Sequence, residues 1–213
     1  MTTDSPSSDE PEFPWPQKGD QLFKADDNDW WLNAAIDHWN KDLHAYAEGY
    51  KQAGDIIVEY LKANQQGVRA PLDYVIFPVV FLYRQYIELR LKEIILIGNK
   101  LNNDTQGIPK HHRIKELWKH ARAILERDSA KKGDLDIVEG CIGELAQIDP
   151  LSTAFRYPTD KEGNKSIAPE QLLINVRHLQ EVMTRLASFL DGCSEYLFIQ
   201  LQQMMEIEDY YRP

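Results

Sequence analysis

The segment PEQLLINVRHLQEVMTRLASFLDGCSEYLFIQLQQMMEIEDYY, residues 169–211, is the most periodic in the chain. Leu172, Val176, Leu179, Met183, Leu186, Leu190, Cys193 and Leu197 alternate in steps of four and three. An α-helix turns once in about 3.6 residues, so these steps hold one apolar stripe on one face, the seam used in bundles and coiled coils. Pro169 suits a first helical position, where its missing N–H has no partner to lose. Gly192 marks a place where the segment could divide into two helices.

Reading outward from that seam, the same periodicity returns. A fourth helix is predicted from about Leu135 to Ile148, weakened by Gly140 and Gly143. A third, from about His111 to Arg127, carries Ile114, Leu117, Trp118, Ala121, Ile124 and Leu125 on one side. A second runs from about Leu72 to Ile97, with Gly98 as its C-cap. Its first half is apolar on every side, which predicts a buried central helix, and Pro78 predicts a late start or a kink. Its second half, YRQYIELRLKEIIL (83–96), has one polar stripe of Arg84, Glu88 and Lys92 at i, i+4 and i+8.

A first helix is predicted from an Asp29 N-cap through Trp30, Trp31, Ala34, Ala35, Ile36, Trp39, Leu43, Tyr46, Ala47 and Tyr50 to Leu61. Gly49 and Gly54 could bend it, and its tryptophans read as core. Residues 1–20, with Pro6, Pro11, Pro14 and Pro16 among Ser, Asp and Glu, read as an acidic, proline-rich disordered tail. No stretch alternates with period two beside hairpin turn residues. The expected fold is all-α: one helical domain over 21–213, a bundle of five to six helices with long antiparallel members.

The chain has 213 residues, 34 Asp+Glu against 24 Lys+Arg, a net charge of −10 and a pI of about 5.1. That disfavours a protein that coats nucleic acid or an anionic membrane. No apolar run approaches the ~18 residues of a membrane span. The acidic, polar N-terminus does not read as a signal peptide. Cys141 and Cys193 suit a reducing compartment, which points to the cytoplasm. The charge is uneven, however. Residues 1–60 carry a net −9, 61–83 a net +1, 84–132 a net +6 and 133–213 a net −8. The basic stretch also holds His111, His112 and His120. It is either a helix face paired with the acidic flanks or a confined anion site.

Three local features, in this order, resemble the HEPN superfamily of helical bundles. Tyr86-Ile87-Glu88-Leu89-Arg90-Leu91-Lys92 is similar to its aromatic stretch followed by Glu and Lys. His111 or His112 followed by Ile114 and Leu117 is similar to its His-led helix start. Phe155-Arg156-Tyr157-Pro158-Thr159-Asp160 is similar to its Arg-Tyr-Pro loop. The resemblance covers roughly residues 74–190. It implies an intracellular protein that engages RNA or a nucleotide, working as a homodimer. In many members it implies a metal-independent endoribonuclease of a defence or toxin–antitoxin system. Other members are non-catalytic and bind nucleotides, RNA or protein partners.

The ribonuclease members share an Arg, four to six residues, then His, and Arg113 and His120 satisfy that spacing. The residue types suit the chemistry. A ribose 2′-hydroxyl must lose a proton, which a His can take, while a permanently charged Arg steadies the phosphate. Arg113 and His120 are therefore the candidate catalytic pair. Arg84, Glu88, His111, His112 and Arg156 are the candidate ligand-binding set. The Arg84–Glu88–Lys92 stripe has a second reading, a buried ion-pair network that anchors the Arg-Tyr-Pro loop. His112, Glu116 and His120 share a helix face, but no metal motif or carboxylate cluster supports a metal site. No cofactor is implied. The reading from a different class is a non-enzymatic interaction module that self-associates through the 172–197 seam, its acidic flanks meeting a basic partner.

Overall fold

The computed structural model describes residues 15–36, 42–64, 70–128, 130–167 and 172–211. Five α-helices follow one another: α1 (Leu43–Asn64), α2 (Ala70–Leu101), α3 (Ile114–Arg127), α4 (Lys132–Ile148) and α5 (Val176–Tyr211). Among the described residues the only ladder pairing is an isolated bridge between Thr159 and Lys165, so the fold is an all-α helical bundle. No helix among them is long and apolar enough to cross a membrane.

The chain divides into two units, Met1–Asp37 and His38–Pro213. Most of the expected tail lies outside the described residues. The first unit contains one short helical turn at Trp30–Leu32, closed by paired hydrogen bonds between Asp26 and Asn33. The long helix expected from Asp29 does not form there. Asp29 makes no side-chain cap, and Trp30 and Trp31 are exposed rather than core. Trp39 lies outside the described residues. The first long helix begins at Leu43 instead, where Asp42 Oδ1 accepts the backbone N–H of Ala45 at 2.8 Å. A carboxylate N-cap of this kind satisfies one of the four orphan donors that every helix start exposes.

In the second unit α2 is the central helix, in contact with α1, α3 and α5, while α4 packs on α3. Its first half is less buried than expected, with only Val79, Val80 and Tyr83 enclosed among its described residues. Tyr74 and Phe77 in the wholly apolar first half are exposed, whereas Arg84, Glu88, Arg90 and Lys92 in the second half are buried. Pro78 lies inside the helix and does not end it. Gly98 does not cap α2, which continues to Leu101. A Cβ at Gly98 would sit 2.5 Å from Ile124 Cγ2, so glycine is what lets α3 approach. Gly54 does the same for the Tyr83 ring, with a Cβ distance of 2.8 Å, and α1 runs unbroken through it.

The α5 seam serves the interior. Met183, Leu186, Ala187, Leu190, Ser194, Leu197 and Leu201 are its buried positions, and Gly192 leaves the helix continuous. The face read as a self-association seam is therefore occupied by the bundle's own core. On α3, all six residues of the expected apolar side are buried. Trp118 among them is 2% exposed, and its indole N–H has no acceptor among the described residues.

Candidate functional site

The polar stripe of α2 closes on itself inside the bundle. Positions four apart on a helix are neighbours, so Arg84, Glu88 and Lys92 lie in register. Arg84 Nη1 donates to Glu88 Oε2 at 2.7 Å, and Lys92 Nζ donates to Glu88 Oε1 at 2.8 Å. Both Arg84 and Glu88 are 0% exposed. A charge this deep is tolerated only when paired and hydrogen-bonded, and each of the other two nitrogens of Arg84 also has an acceptor. Its Nη2 donates to the backbone carbonyl of His112 at 2.7 Å, and its Nε to that of Asp149 at 3.2 Å. The Asp149 carboxylate lies 3.4 Å from the same Nε.

Asp149 is the residue the sequence does not mark. It follows α4, and its Oδ1 accepts the N–H groups of Thr153 and Ala154 at 2.7 and 3.0 Å. One arginine thus holds the end of α4, the loop that follows it and the residue ahead of α3. The interior network expected to anchor the Arg-Tyr-Pro loop exists, but its partner is Asp149 and not Arg156. Arg156 is exposed, its Nε donates to the Ser152 carbonyl, and its guanidinium lies over the rings of Phe81 and Tyr157, 5.5 Å from each centroid.

The outward arm of the network is His112. Its Nδ1 meets Glu88 Oε1 at 2.7 Å, while its side chain is 58% exposed. Burial pushes the Glu88 carboxyl up, but hydrogen bonds from Lys92, Arg84 and His112 outweigh it and leave the group below the ordinary glutamate range. The carboxylate is therefore an acceptor and Nδ1 a donor, so in the neutral ring the lone pair lies on Nε2. No described residue hydrogen-bonds that nitrogen. With a neutral imidazole the buried set is charge-balanced: Arg84 and Lys92 against Glu88 and Asp149.

The Arg113–His120 pair is arranged differently. Arg113 stands at the N-cap of α3, exposed, with its Nε 2.7 Å from Glu116. Glu116 also lies 3.7 Å from His111 Nε2. His120 is half-buried two turns along α3 and has no ion-pair partner among the described residues. Arg84 and Glu88, expected to touch a ligand, are enclosed, and the exposed member of their network is His112. Among the described residues no group of three or more His, Cys, Asp or Glu is placed to hold a metal ion.

A second buried cation stands further along α2. Arg90, 1% exposed, meets Glu48 at 2.6 Å, Asp191 at 2.8 Å and Glu93. Tyr86 donates to the same Asp191 at 2.6 Å, so the cluster ties α2 to α1 and α5. On α3, Arg122 meets Glu126, Asp136 and Glu139. Three arginines of the basic stretch thus meet carboxylates from outside it: Asp149, Glu48, Asp191, Asp136 and Glu139. Part of the basic stretch is a counterpart of the acidic flanks.

No protein-family model, curated protein or solved structure matches this chain.

Proposed function

We propose that the chain engages RNA or a nucleotide, and that it opens phosphodiesters without a metal, as the motifs it shares with the HEPN superfamily imply. The observation that carries this reading is the 2.7 Å contact between Glu88 Oε1 and His112 Nδ1. A buried, ionised carboxylate behind an exposed imidazole fixes the tautomer and points a basic Nε2 at solvent. Arg84 fixes the same residue through its carbonyl, so His112 is held at two points. That is the preorganisation general acid–base catalysis requires.

In the proposed step Nε2 takes the proton of a ribose 2′-hydroxyl. The 2′-oxygen forms a bond to phosphorus, the bond to the 5′-oxygen breaks, and that oxygen takes a proton from water. Arg113 adjoins His112 and supplies a permanent cation for the phosphate. Its exposed pair with Glu116 is worth only about 0–1 kcal/mol, so a phosphate displaces the carboxylate at small cost. His112 takes the proton-moving role that the spacing of Arg113 and His120 suggests for His120.

The test is single-stranded RNA incubated with the protein in EDTA. Cleavage is expected, with His112→Ala slower by about 10²-fold or more. Absence of cleavage in the wild type sinks the reading. Cleavage lost in His120→Ala but kept in His112→Ala moves the role back to His120.

A non-enzymatic interaction or dimerisation module is the second reading, favoured by the distal end of α5. Beyond Leu201, its last buried position, Met205, Ile207, Tyr210 and Tyr211 are exposed. Light scattering at high micromolar concentration tests it, and a strict monomer removes both this module and the homodimer.

A further inference from the structure

The loop after α4 builds a cavity that the His112 corner does not use. It has a volume of about 580 Å³, within the roughly 300–1,000 Å³ range of small-molecule sites. Phe77, Phe155 and Tyr157 supply aromatic wall, and Arg156, Lys165 and Ser166 supply polar groups. Phe77 and Tyr157 keep 42% and 56% of their surface exposed, so ring faces remain for a ligand.

Its electrostatics separate it from the rest of the molecule. Arg84, Arg90 and Arg122 each meet carboxylates. Among the described residues no carboxylate lines this cavity. Arg156 spends its Nε on a carbonyl and its flat faces on two rings, and its terminal nitrogens have no partner among the described residues. Lys165 has no ion-pair partner among them either. The nearby Asp160 carboxylate is exposed and accepts the N–H groups of Glu162 and Asn164 within its own turn, at 3.0 and 2.8 Å. Two cations with no carboxylate partner among the described residues, beside aromatic rings in a chain of net charge −10, favour a ligand that is both anionic and planar.

The walls are built before any ligand arrives. Asp149 pins the loop at Thr153 and Ala154, and the N–H of Ser166 donates to the Pro158 carbonyl at 3.0 Å. Phe155 roots the loop in a small core with Val80 and Ala154. Arg84 joins this loop, through Asp149, to the backbone of His112.

We propose that this cavity is a subsite for one nucleotide, its base against Phe77 and Tyr157 and its phosphate on Arg156 and Lys165. This rests on the RNA-or-nucleotide reading above and adds to it the place where a base is held. The same chemistry is offered by a free mononucleotide and by one unit of a strand.

The test is calorimetry on the full chain with 5′-AMP, a 2′-O-methyl octanucleotide that resists cleavage, adenosine and orthophosphate. AMP or the octanucleotide is expected to bind, with adenosine and phosphate at least tenfold weaker. Arg156→Ala and Lys165→Glu, each checked for an unchanged melt, are expected to weaken binding about tenfold or more. Tenfold tighter binding of the octanucleotide assigns the subsite to a strand, and equal binding assigns it to a free nucleotide. No binding of either, phosphate binding as tightly as AMP, or both variants binding like wild type overturns the proposal. RNA cleavage that survives alongside unaffected variants removes the subsite alone. Binding without cleavage removes the ribonuclease reading and leaves the subsite.

Discussion

Gly98→Ala tests the close approach of α2 and α3. The added Cβ would lie 2.5 Å from Ile124 Cγ2, 2.8 Å from Cδ1 and 3.2 Å from Cγ1. Carbon pairs sit best at about 3.5–4.0 Å, so all three contacts overlap. Ile124 is 1% exposed and has no solvent to retreat into. Helix propensity favours Ala over Gly by about 1 kcal/mol, while overpacking a filled core costs about 1–3 kcal/mol. Three overlaps in one place argue for the upper end, a net loss of about 2 kcal/mol. For a chain of this size that lowers Tm by roughly 4–8 °C. Urea unfolding followed by far-ultraviolet circular dichroism measures it, with the midpoint falling at constant m-value. Ile124→Ala, which alone costs about 2–5 kcal/mol, removes the obstructing atoms. In that background Gly98→Ala should become neutral or stabilise by up to about 1 kcal/mol. A gain in stability from Gly98→Ala in the wild-type chain, or no coupling between the two sites, would refute the close approach of α2 and α3.

The depressed Glu88 carboxyl makes stability depend on pH. Above the ordinary 4.5 of a glutamate its contribution is complete, and it is lost as pH falls through the lower folded-state value, because there the unfolded chain binds more protons. Glu88→Gln should cost about 3–5 kcal/mol at neutral pH and flatten the acid limb, and an acid limb of unchanged slope in thermal melts would contradict this. Burial pushes the Cys193 thiol up to about 11, so iodoacetamide at pH 7.5 should label it far more slowly in the native chain than in urea. Equal rates would place that thiol at the surface. Asp42→Ala should cost about 1 kcal/mol in a urea melt, with Asp42→Asn close to wild type, since either side chain accepts the Ala45 N–H.

The helices were legible wherever an apolar period had a core to meet. The six apolar positions of α3 are buried, and so are Met183, Leu186, Leu190 and Leu197, half of the α5 seam. Reading failed where the same period had no such partner: the Trp30–Trp31 pattern imitates a helix start, yet both rings stay exposed. Glycines misled for a related reason. Gly54 and Gly98 look like breaks in a linear pattern but serve close contact between helices, a property of three dimensions. The Arg84–Glu88–Lys92 stripe was visible because its pairs are i, i+4. Asp149 was not, because it pairs with a residue 65 positions away, and no local periodicity records that. His112 stood in the candidate set on the strength of its neighbours, but only the placement of Glu88 behind it separates it from His111 and His120.

The burial of Trp118 has an optical consequence. Of the described tryptophans, Trp15, Trp30 and Trp31 are 78%, 69% and 62% exposed, while Trp118 is enclosed with an indole N–H that meets no acceptor. Water relaxes the excited states of the first three and reddens their emission. The fourth, 2% exposed and without an acceptor among the described residues, should emit to the blue of them. Replacing Trp15, Trp30, Trp31 and Trp39 with Phe would leave one native chromophore whose colour reports whether α3 is seated. The departure of that helix from the core could then be timed in a stopped-flow cell without any added label.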